Sequence, residues 1–150
     1  YTRVMNGMTE QNLSKQEVVA KLQAHGVAPT RQRMLIAEVL FARPQHLSAE
    51  KVLERVNQDQ PAVSKATVYN TLNLFARNGL VREVIVDPSK VFYDSNTGEH
   101  HHLYNVDTGE LTDIAPERLQ LGGLPELPDG TVPVGVDVII RVRSGDSASA

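Results

Sequence analysis

Along the first half of the chain, apolar positions recur at helical spacing, punctuated by capping and stop residues. Ser14 followed by Glu17 forms a capping box ahead of the i, i+4 pair Val18 and Leu22, and Gly26 supplies the stop. Pro29 and Thr30 open a second predicted helix with Leu35, Ile36, Val39 and Leu40 as its buried stripe and Pro44 as terminator. Ser48 caps a third, carrying Val52, Leu53 and Val56 and closed before Pro61. In a fourth, capped by Ser64, Val68, Leu72 and Phe75 repeat at helical spacing before Gly79. The pattern then changes to an apolar-rich strand from Leu80 to Val86, a turn at Asp87-Pro88-Ser89-Lys90 and a short return strand from Val91 to Tyr93. Short helices followed by a small hairpin are the order of a winged helix-turn-helix.

The second half is sparser. Leu103 to Val106 and Leu111 to Ala115 flank the turn signal Asp107-Thr108-Gly109-Glu110. A two-residue loop at Thr108-Gly109 puts Asp113 opposite Tyr104 and diagonally from His102. A turn-rich connection from Leu121 leads to Val136 to Val142, predicted as a buried strand with Val136, Val138, Ile140 and Val142 on one face. Three strands with one short helical turn make a small core, and a homodimer would cover its second face. Tyr1 to Met8 shows no apolar periodicity, and residues 144–150 are expected to be a disordered tail. The fold class is therefore α+β. A winged helix-turn-helix DNA-binding domain is expected over 9–93, followed by a small C-terminal α/β dimerisation domain over 94–143.

Composition narrows the chemistry. The chain of 150 residues is 41% hydrophobic and has no cysteine, which excludes disulfides, thiolate zinc clusters and thiol nucleophiles. No apolar run approaches the ~18 residues of a membrane span, so no membrane partner is expected and the cytoplasm is the expected compartment. A net charge of −3 hides an asymmetry. Residues 1–93 carry 12 Lys/Arg against 8 Asp/Glu, whereas residues 94–150 carry 3 against 10. A basic front and an acidic back suit an anionic partner for one half and a cation for the other.

The fourth helix carries the more specific signal for the anion. Thr67, Tyr69 and Asn70 offer a hydroxyl, a ring and an amide for base edges and thymine methyls, while Lys65 would meet phosphate. Arg31 and Arg33 are placed for backbone contact. For the cation, His100, His101 and His102 are consecutive. On a strand His100 and His102 share one face and His101 takes the other. Asp113 comes within reach of the same face, and Asp94 and His46 are the candidates from the front half. Three imidazoles with two carboxylates suit Fe(II), Mn(II) or Zn(II). There is no His-Glu-x-x-His helix, nucleophile elbow or phosphate loop, so an enzyme is not expected.

Five stretches in order resemble the ferric uptake regulator superfamily: Pro29-Thr-Arg-Gln-Arg, His46-Leu-Ser-Ala-Glu, Ala66-Thr-Val-Tyr-Asn-Thr-Leu, Gly79-Leu-Val and the histidine cluster with its hairpin. Within it, the chain is most similar to the haem-responsive iron response regulators of alphaproteobacteria. The features behind that are Arg31-Gln-Arg33, the three histidines and the ending Leu119-Gln-Leu-Gly-Gly-Leu-Pro through Val136 to Arg143. The resemblance implies a dimeric DNA-binding regulator of iron and haem homeostasis, with a regulatory metal at His46, Asp94, His100, His102 and Asp113. It implies a second metal site from Glu99 and His101, and haem held by His100, His101 or His102. It further implies an A·T-rich operator and ferrochelatase as a haem-delivering partner. Asn105 and Thr108 stand where the superfamily carries a Cys-x-x-Cys zinc pair, so that structural zinc is not expected. Asn70 replaces an arginine that many members carry, which points to a different operator. The alternatives are a peroxide-sensing Fe(II)/Mn(II) repressor of the same superfamily and a winged helix used for protein contacts alone.

Overall fold

The computed structural model describes residues 13–145 in full and the backbone of 2–5 and 8–11. The expected tail beyond Gly145 lies outside the described residues. The chain divides into two compact units, residues 1–97 and 98–150. The first begins with a paired antiparallel ribbon, β1 (Thr2–Met5) and β2 (Met8–Gln11). Four helices follow, α1 (Lys15–Ala24), α2 (Arg31–Leu40), α3 (Ala49–Val56) and α4 (Lys65–Arg77), with β3 (His46–Ser48) between α2 and α3. The hairpin β4 (Arg82–Asp87) and β5 (Lys90–Asp94) closes the unit.

Local chemistry starts each helix. Ser14 accepts the Glu17 N–H while its own N–H donates to the Glu17 carboxylate, the two halves of a capping box. Thr30, Ser48 and Ser64 each accept a hydrogen bond from the backbone N–H three residues on. Between α3 and α4 the chain turns on one side chain. Asn57 Oδ1 accepts the N–H groups of Ala62 and Val63 at 2.8 and 2.9 Å, and its Nδ2 donates to the Val63 carbonyl at 2.9 Å. This latch sets the step into α4. Asn57→Ala strips three bonds from a half-buried site and is expected to lower stability by about 2 kcal/mol in urea denaturation.

Val18, Leu22, Ile36, Leu40, Val52, Val68, Leu72 and Phe75 form the centre of the helical core. The buried side of α2 is rotated from the expected one. Met34, Ile36, Ala37 and Leu40 are buried, whereas Leu35 and Val39 are half-buried. Leu53 and Val56 of α3 are likewise half-buried. The wing holds three strands, not two, in the order β3-β5-β4. Pairing sets His46 against Asp94, and Arg82 against Asp94 from the other side. Helices with a three-stranded wing make this unit a winged helix.

In the second unit, β6 (His101–Asn105) is central in a sheet ordered β7-β6-β8, with β7 (Leu111–Ile114) antiparallel and β8 (Ile139–Val142) parallel to it. A single helical turn, Pro116–Arg118, follows β7. The hairpin loop is longer than expected, so Tyr104 faces Leu111 and Asp113 lies directly opposite His102. The reason is Asn105, whose Oδ1 accepts the N–H groups of Asp107 and Thr108 and draws them out of the ladder. Gly109, at φ +76°, closes the loop by donating to the Asn105 carbonyl. The last strand is shorter than expected and is not buried. Ile139 and Val142 are half-buried, Ile140 is 39% exposed, and β8 is bonded along one edge to β6. Ser144 is tied to Asp107 through a 2.9 Å hydrogen bond from its N–H, so order extends into the first residue of the expected tail.

Candidate metal centre and nucleic-acid interface

Each unit carries its own set of candidate metal ligands. In the first, direct antiparallel pairing places His46 and Asp94 on one face of the wing, where opposed Cβ atoms lie about 5 Å apart. The Asp94 side chain is 1% exposed, accepts the Asn96 N–H at 2.9 Å and has Arg82 as its other in-register neighbour. A buried carboxylate needs such partners to stay charged. The His46 ring sits edge-on to Phe92, with centroids 6.4 Å apart. The segment around His46 is braced. Gln45 donates its N–H to Ser95 Oγ and its side-chain amide to the Val39 carbonyl, and Arg55 donates to its Oε1.

In the second unit, β6 and the register with β7 bring three groups together. His100 Nε2 lies 3.5 Å and His102 Nε2 3.4 Å from Asp113 Oδ1, and the two imidazole centroids are 4.5 Å apart. His100 and His102 are buried, while Asp113 is half exposed. The His100 Nδ1–H donates to the Gly98 carbonyl at 2.7 Å, which leaves the lone pair on Nε2, the atom turned to Asp113. An outer hydrogen bond of this kind fixes the tautomer a metal-ligating imidazole needs. Two imidazole nitrogens and one carboxylate form a mixed nitrogen–oxygen set suited to a hard-to-borderline divalent ion.

His101 takes the opposite face, as alternation requires. Its Nδ1 accepts the Val138 N–H at 3.2 Å and the residue is 3% exposed. Glu99, its expected partner in a second metal site, is exposed. The lone pair on His101 Nδ1 therefore serves the junction with β8.

Of the residues expected to read DNA, Lys65 and Asn70 are exposed on α4, and Arg31 is exposed at the start of α2. Thr67 and Tyr69 are half-buried. Ser64 Oγ donates to Thr67 Oγ1 at 2.9 Å, which folds this hydroxyl into the helix cap. Arg33 is half-buried and donates to the Ala28 carbonyl at 3.1 Å. Tyr69 is held at its hydroxyl by Glu50 Oε1, 2.6 Å away. Glu50 was legible in sequence only as an acidic residue in the first turn of α3, and nothing in the spacing paired it with Tyr69.

A winged helix followed by a sheet unit bearing buried histidines is an arrangement suited to a metal-responsive, DNA-binding regulator. The chain belongs to the ferric uptake regulator family, whose family profile matches residues 24–121. Its members are transcriptional regulators, and the chain is not an enzyme. It is 33% identical over 104 residues to the peroxide-responsive repressor PerR of Staphylococcus aureus, a match covering 69% of this chain and 70% of the relative. Among solved structures it is similar to the manganese-bound ferric uptake regulator of Pseudomonas aeruginosa, at 26% identity and TM-score 0.64, covering 85% of this chain and 97% of that one. The Vibrio cholerae ferric uptake regulator shares the fold at 23% identity and TM-score 0.66, with 84% and 98% of the two chains covered. Among the described residues no helix is long and apolar enough to cross a membrane.

Proposed function

We propose that the chain is a homodimeric regulator that binds an A·T-rich operator under the control of one divalent ion, Fe(II), Mn(II) or Zn(II), per subunit. The proposed ligands are His46 and Asp94 from the winged-helix unit and His100, His102 and Asp113 from the sheet unit. The observation that carries this reading is the convergence of His100 Nε2 and His102 Nε2 on one Asp113 oxygen, at 3.5 and 3.4 Å. Ligands drawn from two units would let the ion bias how the DNA-binding unit is presented, which is the logic of a switch. Dimerisation is supported by apolar side chains exposed in the sheet unit, among them Leu124, Val132, Val134 and Ile140, which a second copy would cover.

For the signal, similarity to a peroxide-responsive repressor supports release of DNA in response to peroxide, and His46, His100 and His102 would hold the Fe(II) that reacts with it. A second reading, haem-responsive control of iron and haem genes, rests on the run of three histidines, since a neutral imidazole is an ordinary axial ligand for haem iron. His101, engaged with Val138, would take no part. Fluorescence anisotropy of a labelled A·T-rich palindrome separates the two. If peroxide is the signal, it releases DNA from the Fe(II) form and not from the Mn(II) form, and haem has no effect. If haem is the signal, the metal-free protein binds and haem releases it. Tyr69→Ala is expected to lose specific binding in either case, measured at a temperature where circular dichroism shows the variant still folded. Intact binding in that variant would contradict the DNA-reading role of α4.

A further inference from the structure

The hydrogen bond between α3 and α4 on the wing side has no part in the metal centre. Tyr69 Oη donates to Glu50 Oε1 at 2.6 Å, a short bond of the charge-assisted kind. Lys65, one turn earlier on α4, has its Nζ 5.9 Å from the centre of the Tyr69 ring. Glu50 thus stands among the groups that α4 offers to DNA, and a bare carboxylate there would repel phosphate. Its place in the first turn of α3 would stabilise that helix alone, but the bond to Tyr69 spans nineteen positions in sequence.

We propose that Glu50 is a positioning residue for DNA reading, which aims the Tyr69 ring by holding its hydroxyl and thereby sets sequence discrimination. The inference rests on the reading of α4 as the DNA-reading helix. A ring pinned at its far end presents one edge to a thymine methyl, whereas a free ring rotates and meets any base. The electrostatics agree with this geometry. The hydrogen bond from Tyr69 holds the Glu50 carboxyl below its usual range, assisted by Lys65 and by Lys90 at the wing, and the same bond raises the Tyr69 phenol. Because Glu50 offsets the charge of Lys65 and Lys90, it also restrains sequence-independent attraction to phosphate.

The test uses the Mn(II)-loaded chain and a duplex recovered by in vitro selection on the wild type. Affinity is measured for that duplex, for a scrambled one and for versions with single thymines replaced by uracil, which lacks the methyl group. Glu50→Ala is expected to bind the scrambled duplex at least as tightly as wild type. Its selected-to-scrambled ratio should fall about tenfold, and one thymine-to-uracil penalty should vanish. Glu50→Gln, whose amide oxygen accepts the same hydrogen bond, should retain most of that ratio and the penalty. A Glu50→Ala protein of wild-type melting temperature that keeps both would overturn the inference. So would a Glu50→Gln protein that loses as much as Glu50→Ala, because charge alone would then be the cause. Failure of the wild type to select any duplex would instead refute the DNA reading on which the inference stands.

Discussion

His102→Ala is expected to lower Mn(II) affinity by about 100-fold or more, since even the outer partners of metal ligands are worth about 10- to 100-fold. The side chain is 2% exposed and its Nε2 lies 3.4 Å from Asp113 Oδ1, so no water-exposed group can replace it without rebuilding β6. The loss should be larger than for Asp113→Ala, because Asp113 is half exposed and water can occupy its place. His101→Ala is the matched control. It removes a neighbouring imidazole from the opposite face, along with the bond from the Val138 N–H, and should keep Mn(II) affinity near wild type. Isothermal titration calorimetry on the three variants, with circular dichroism to verify folding, checks the ordering. Equal losses in His101→Ala and His102→Ala would show that the two faces of β6 are not distinguished.

Phe75→Ala is expected to cost about 3–5 kcal/mol, because it removes a fully buried ring from the centre of a helical core. Phe75 lies on the same face of α4 as Val68 and Leu72, all three with no solvent exposure. These residues hold α4 against the rest of the winged helix. Small domains are stable by only about 5–15 kcal/mol, so this one substitution removes a large share of the total. Urea unfolding followed by circular dichroism should show a lower midpoint, and operator binding should fail at temperatures where the wild type still binds. A loss below about 1 kcal/mol would mean that the core repacks around the missing ring.

The elements legible in the sequence were those with local causes. Ser14, Thr30, Ser48 and Ser64 announced four helices because a cap acts within three residues of itself. The strand at His46–Ser48 was not legible. It is three residues long, and its partner β5 lies more than forty positions away, so no periodicity marks it. That pairing nevertheless sets His46 opposite Asp94. In the sheet unit the expected register was wrong by two residues, because Asn105 builds a longer loop than the Thr108-Gly109 signal suggests. A shift of two keeps every side chain on its face, whereas a shift of one would have turned Asp113 away from His102. The side chains of His100, His102 and Asp113 therefore still meet on one face despite the mistaken register. Val136 to Val142 failed for another reason. Its apolar alternation is real, but in a single chain β8 is an edge strand and Ile140 remains exposed. The contact of Tyr69 with Glu50 was invisible because it depends on how α3 and α4 are packed.

The most direct test of the account is one titration of the chelated protein with Mn(II). Bound metal is followed by electron paramagnetic resonance, and affinity for a labelled A·T-rich palindrome by anisotropy, at one fixed salt concentration. The account predicts that DNA affinity changes in step with the first equivalent of metal per chain, and that His102→Ala removes both signals together. DNA affinity that stays constant while one equivalent of Mn(II) binds would contradict it.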